Sequence, residues 1–140
     1  MSVHWPILRS LLSRPRERFV IDDKRSYRGI DLVVAALHVA SEIERSSSSR
    51  TVGLLLPTSG AFPIAALASW MLGRTIVPLN YLLKRSELRY VIDHCGADAV
   101  ITVQPMLDFL GYEPEGVKLI RLDSIDFRSV PDLRWPASAD

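Results

Sequence analysis

The sequence predicts an α/β fold with a mostly parallel sheet and helices on both faces. Residues 52–56 (VGLLL), 75–79 (TIVPL) and 99–103 (AVITV) are short apolar runs of strand length. Two stretches of helical period, 58–72 and 86–95, separate them. Strands joined by helical crossovers of that length pair in parallel, and runs apolar throughout are buried on both faces.

The elements follow in order. Residues 3–13 place Trp5, Leu8, Leu11 and Leu12 on one side of a short helix that Pro15 ends. Residues 19–21 read as a strand, and Asp22-Asp23-Lys24 as a tight turn before Arg25 and Ser26. Ser26 is the expected N-cap of a helix through Glu44, with Ile30, Val33, Leu37 and Ala40 facing inward. The serine run 46–49 reads as a polar surface linker. After the strand 52–56, ended by Pro57, either Thr58 or Ser59 caps a helix reaching Leu72, with Gly73 as its stop. Pro63 falls near its first turn, where a missing amide costs least. That helix is apolar nearly all round, so Trp70 and Met71 are expected in the core. Ser86 is the expected cap of a helix carrying Leu88, Val91, Ile92 and Cys95 at i, i+3, i+4, i+7 and closed by Gly96. A fourth strand spans 117–122, and residues 128–140 read as an extended tail.

Length and composition bound the function. A chain of 140 residues fits a single domain, 1–140, able to bury a core. Its 48% hydrophobic and 24% charged content is ordinary for a globular protein. A net charge of +1 supplies no field for nucleic acid or a membrane surface. Arg9, Arg14, Arg16 and Arg18 are a local exception, read as a solvated helix end. The single cysteine, Cys95, rules out an internal disulfide and packs as a small hydrophobe. His4, His38 and His94 share no metal-ligand spacing, and Asp22-Asp23 and Asp123-Asp126 lack a calcium-loop pattern, so turns and caps are their expected roles. No signal-peptide pattern and no apolar run of membrane-spanning length occur, which makes the cytoplasm the expected location.

Several segments carry a resemblance. Ser26-Tyr27 before an amphipathic helix is similar to a "TY-x-E-L" opening, with Gly29-Ile30 in place of Glu-Leu. Val52-Gly53-Leu54-Leu55-Leu56-Pro57 resembles "VGLLLPN", with Thr58 where Asn is common. Ala68, Gly73, Val77, Pro78 and Leu79 keep the pattern "A-x-x-G-x-x-x-V-P-L". Asn80-Tyr81 and the run from Ser86-Glu87-Leu88 through Tyr90-Val91-Ile92 resemble "N-x-x-L-x-x-x-E-L-x-Y-I-L", and Gly96-Ala97 before Val100-Ile101-Thr102 completes the order. Together, over roughly residues 10–125, they resemble the N-terminal subdomain of the adenylate-forming (AMP-dependent) acyl-CoA and acyl-carrier-protein synthetases.

The resemblance implies a two-step chemistry for a complete enzyme. A carboxylate attacks the α-phosphate of ATP, and a thiol then displaces AMP from the acyl-adenylate. It implies ATP and Mg for the complete enzyme, a fatty or similar hydrophobic acid as substrate, CoA or acyl carrier protein as acceptor, and the remainder of the synthetase as partner. The first step needs a Ser/Thr/Gly-rich loop with a lysine, because phosphate oxygens require converging N–H donors and a cation. That loop, the adenine and magnesium segment, the ribose aspartate and the lysine of the mobile C-terminal domain have no counterpart in these 140 residues. No catalytic, cofactor-binding or metal residue is therefore assigned, and the isolated chain is expected to be inactive.

Thr58-Ser59-Gly60 opens a helix after a strand, the setting of a phosphate-binding loop, and copies the first letters of the family's Thr-Ser-Gly-Thr-Thr-Gly. Ala61, Phe62 and Pro63 follow, without a second glycine or a lysine, so a helix cap is the expected role. Asn80 and Tyr81 lie at the carboxyl end of a parallel strand, where open α/β sheets place ligands. Thr58, Ser59, Asn80 and Tyr81 are thus the candidates for a substrate-channel or interdomain role. Apolar area around Trp70, Met71, Leu79, Tyr81, Leu82 and Leu83 is expected to be exposed and to favour a homodimer. The alternatives are a stand-alone, non-catalytic truncated homologue that binds a carrier protein or a full-length synthetase, and an unrelated flavodoxin-like module with its cofactor loop at 57–60 or 79–84.

Overall fold

The computed structural model describes residues 2–133, 136 and 137. Helix α1 (His4–Ser13) buries His4, Leu8 and Leu11, spaced i, i+4, i+7. Leu12 is 54% exposed, so the expected stripe is corrected. At 100° per residue Leu12 stands about 40° from Leu8 and 100° from Leu11, on the outer edge of the buried stripe. Trp5 is half-buried and its indole N–H donates to the Ala137 carbonyl at 3.2 Å.

Strand β1 (Arg18–Ile21) pairs antiparallel with a strand the sequence did not announce, β2 (Ser26–Arg28). Ser26 therefore does not cap the next helix; it pairs with Ile21. The Asp22 carboxylate accepts the Lys24 and Arg25 amides, both at 2.9 Å, and closes the hairpin. Helix α2 (Gly29–Ser46) starts after Arg28, whose amide donates to the Asp31 carboxylate at 2.9 Å. Val33, Leu37 and Ala40 face inward with Leu32, Ala36, Val39 and Ile43, while Ile30 is only half-buried.

Four parallel strands follow: β3 (Thr51–Leu55), β4 (Thr75–Pro78), β5 (Ala99–Thr102) and β6 (Lys118–Arg121), in the spatial order β4-β3-β5-β6. The crossovers are α3 (Ala61–Met71), α4 (Arg85–Cys95) and α5 (Gln104–Leu110). Alternation along the strands fills two layers. Val52, Leu54, Ala99, Ile101 and Ile120 pack with α1, α2 and α3. Leu55 and Val100 pack with Leu88, Ile92 and Met106 of α4 and α5. Fully burying each large side chain contributes about 1.5–3 kcal/mol before entropy is counted. Helices thus cover both faces of the parallel sheet.

Two ends differ from expectation. Ser86 is the second residue of α4, so it is not the cap; the Glu87 carboxylate instead accepts the Lys84 amide at 2.8 Å. Helix α5 arises where no element was expected. Its Gln104 amide donates to the Asp123 carboxylate at 2.9 Å, and Gly111 ends it in the left-handed region. The serine run is no free linker. Asp98 accepts from the Ser47 hydroxyl at 2.5 Å and from the Ser48 and Ser49 amides at 2.9 and 3.1 Å, and Ser47 is buried. Burial opposes ionisation of Asp98, but those hydrogen bonds outweigh it and hold the carboxyl below its ordinary range.

Of the tail 128–140, Arg134, Trp135 and residues 138–140 lie outside the described residues. Ala137 is pinned to the body: its amide donates to the Met71 carbonyl at 2.7 Å, and its carbonyl faces the His4 imidazole at 3.0 Å.

Candidate functional site

The carboxyl ends of neighbouring strands β3 and β4 release the two loops that hold the candidate residues. Thr58 is exposed. The N-cap of α3 is Gly60, one residue beyond the expected Ser59, whose hydroxyl accepts the Ala61 amide at 3.2 Å and whose carbonyl accepts the Phe62 amide at 3.2 Å. The next amide, Gly60 N–H, donates at 2.8 Å to the carboxylate of Asp22 in the β1–β2 turn. A helix N-terminus attracts an anion, and here the chain supplies its own.

Tyr27 completes this arrangement. Its hydroxyl donates to Asp22 at 3.3 Å and its ring lies against Gly60, where an added Cβ would sit 2.2 Å from Tyr27 Cε2. The Arg25 guanidinium stacks over the same ring, 4.2 Å from its centroid. The Gly60 amide, then those of Arg25 and Lys24, hold the Asp22 carboxyl down at about 2, against a small opposing effect of burial. Burial pushes the Tyr27 phenol up. Neither Asp22 nor Tyr27 stood out as a site residue in the sequence. The only signal was an Asp-rich turn followed by Tyr, and the partner lies 38 residues away.

In the second loop, Asn80 makes a local turn: its side-chain oxygen accepts the Leu82 amide at 2.9 Å and its carbonyl the Leu83 amide at 3.2 Å. Tyr81 is half-buried and meets Phe109 of α5 edge-on, with centroids 5.9 Å apart. Met71 and Leu79 are buried and Trp70 half-buried, so the expected apolar patch is corrected to Tyr81, Leu82 and Phe109. Met71 packs in the layer of α1, α2 and α3 and Leu79 in the layer of α4 and α5, which their place at element ends did not reveal.

A cavity of about 550 Å³ lies between the first half of α4 and Tyr112. Two of its cations are already engaged: Arg85 pairs with Glu115 at 2.6 Å and Arg89 with Asp93 at 2.9 Å. Among the described residues no group of three His, Cys, Asp or Glu converges as metal ligands, and no helix is long and apolar enough to cross a membrane.

With this geometry in place, the sequence matches the family described as AMP-binding enzyme over residues 9–138. The chain belongs to that family. Among solved structures, it resembles a benzoate CoA ligase from Burkholderia xenovorans LB400 at TM-score 0.85 and 20% identity, covering 100% of this chain and 31% of that one. It is also similar to the N-terminal domain of FACL13 from Mycobacterium tuberculosis (TM-score 0.78, 22% identity, 100% of this chain and 39% of that one). O-succinylbenzoate coenzyme A synthetase from Bacillus subtilis, solved with AMP, gives TM-score 0.75 at 17% identity, with 94% and 34% covered. At such identities the likeness establishes the shared fold, and the chain spans about a third of the length of these proteins. Comparison with proteins of curated function gives no match.

Proposed function

We propose that this chain is the N-terminal part of an ATP-dependent acyl-activating ligase, which converts a hydrophobic carboxylic acid such as a fatty acid to an acyl-adenylate and then to a thioester. CoA or acyl carrier protein is the acceptor, and the reaction runs in the cytoplasm. ATP and Mg are held by the rest of such an enzyme, and these 140 residues alone neither adenylate a carboxylate nor bind ATP tightly. The observation that carries the reading is a family match across nearly the whole chain, combined with a helix N-terminus already filled by Asp22. Here the chain's residues form a scaffold: the parallel sheet sets the carboxyl edge, and Asn80 and Tyr81 shape the surface that faces the remainder of the enzyme.

The test is ATP-dependent pyrophosphate release from the purified chain with a panel of fatty acids and aromatic acids. No release above the blank is expected; release by the chain alone would overturn the division of labour. The filled helix N-terminus also suits a second reading, a non-catalytic homologue that binds a carrier protein or a full-length synthetase. Capture of an acyl carrier protein by the chain in a pull-down distinguishes that reading.

A further inference from the structure

We propose that residues 9–28 form a docking surface for an anionic lipid bilayer. The chain's net charge of +1 hides a segregation: this stretch holds seven of the 17 basic side chains and three of the 16 acidic ones, and all seven cations are exposed. The fold gathers them. The Glu17 and Pro15 carbonyls accept the Gly29 and Ile30 amides, each at 3.0 Å, which lays the segment after α1 along the start of α2. The Arg14 guanidinium sits over the Phe19 ring of β1, 5.1 Å from its centroid. Arg18 then stands opposite Arg28 in the β1–β2 ladder, where like charges cost stability. Asp31 relieves that pair on one side only, through Arg28. Of the acids, Glu17 pairs with Arg14 at 3.2 Å, and Asp22 turns its charge to the amides of Lys24, Arg25 and Gly60.

The apolar groups select the occupant. Cations alone suit any polyanion, but Ile21 is 76% and Leu12 54% exposed within the same stretch. Ile21 heads the β1–β2 turn that carries the exposed Lys24 and Arg25, and Leu12 follows the exposed Arg9 by three residues on α1. An aliphatic side chain gains nothing from a sugar-phosphate backbone. Beside a cation it enters the acyl boundary of a bilayer, while the cation meets the phosphate or carboxylate of an anionic headgroup. Contact of this kind holds the chain at the surface of a leaflet, and no helix among the described residues is long and apolar enough to cross it.

The inference goes beyond the ligase reading and is tested apart from it, since vesicle binding is read without ATP or a carboxylic acid. The purified chain is sedimented with vesicles of phosphatidylcholine mixed with phosphatidylserine, and with vesicles of phosphatidylcholine alone. It should bind the anionic vesicles, come off them as salt rises, and stay in solution beside the neutral ones. Arg16→Gln with Arg18→Gln should weaken binding about thirtyfold, at about fivefold per cation. Arg9→Gln with Lys24→Gln, on α1 and in the turn, should do the same, so the result does not hang on the fold of one variant; circular dichroism checks both. Arg50→Gln with Lys118→Gln, an equal change of charge outside the stretch, should leave binding within about twofold. Ile21→Ser should weaken vesicle binding several-fold at constant charge. No sedimentation with the anionic vesicles at low ionic strength overturns the proposal. So does a loss from the two outside substitutions equal to that from Arg16 and Arg18. Duplex DNA bound more tightly than the vesicles at the same salt, with Ile21→Ser silent in both, overturns it in favour of a nucleic-acid surface.

Discussion

The single carboxylate of Asp22 both closes the β1–β2 turn and caps α3. Its folded-state pKa, about 2, lies below the ordinary carboxylate value of about 3.9. A carboxyl depressed by folding contributes stability above its unfolded value and loses it as pH falls through the folded one. Asp22→Asn should therefore lower the melting temperature at neutral pH and flatten its fall between about pH 4 and pH 2, read by thermal denaturation across that range. Gly60→Ala tests the contact beside it. The position has φ of −60°, so alanine is allowed by the backbone, yet its Cβ would meet the Tyr27 ring. The substitution should cost about 1–3 kcal/mol by overpacking. In a Tyr27→Ala background the same change should instead gain roughly 0.4–1 kcal/mol, since alanine restricts the unfolded chain. This pairing was not legible in the sequence, because a turn carboxylate gives no sign of which distant amide it will meet. Ser59 was legible at the opening of α3 to within one residue of the cap, since its contacts need only its own neighbours.

Elements whose signal is local and periodic emerged where the sequence placed them. The runs of β3, β4 and β5 and the i, i+3, i+4, i+7 spacing of α4 are examples. β2 and α5 were missed because three and seven residues are too few to show a period. Which face of α1 turns inward is decided by packing against α2, and comparison of two leucines checks it. Leu11→Ala should cost about 2–5 kcal/mol in chemical denaturation, whereas Leu12→Ala should stay within about 0.5 kcal/mol. The serine run was misread because polarity was taken for exposure. Its polar groups are satisfied inward, by Asp98 on one side and by the Arg74 guanidinium, which donates to the Ser47 and Ser49 carbonyls, on the other. Asp98→Ala should destabilise the fold by roughly 2–4 kcal/mol through unpaired donors. It should also speed hydrogen exchange at the Ser48 and Ser49 amides ahead of the rest of the sheet.

At the scale of the whole molecule, β3-α3-β4-α4-β5-α5-β6 builds an open parallel sheet whose carboxyl edge is the natural place for a ligand. The family match places that architecture among AMP-binding enzymes, and the sequence motifs alone carried the resemblance. What they could not carry was the state of the edge. There the helix N-terminus that copies the opening of a phosphate loop is closed by the β1–β2 hairpin. In the proposed division of labour this piece shapes an acyl-activating ligase without itself seating a nucleotide. Titration of the ¹⁵N-labelled chain with Mg-ATP, following the Gly60 and Ala61 amide resonances, tests it most directly. The account predicts no saturable shift at those amides up to millimolar nucleotide; a saturable shift centred on them would contradict it.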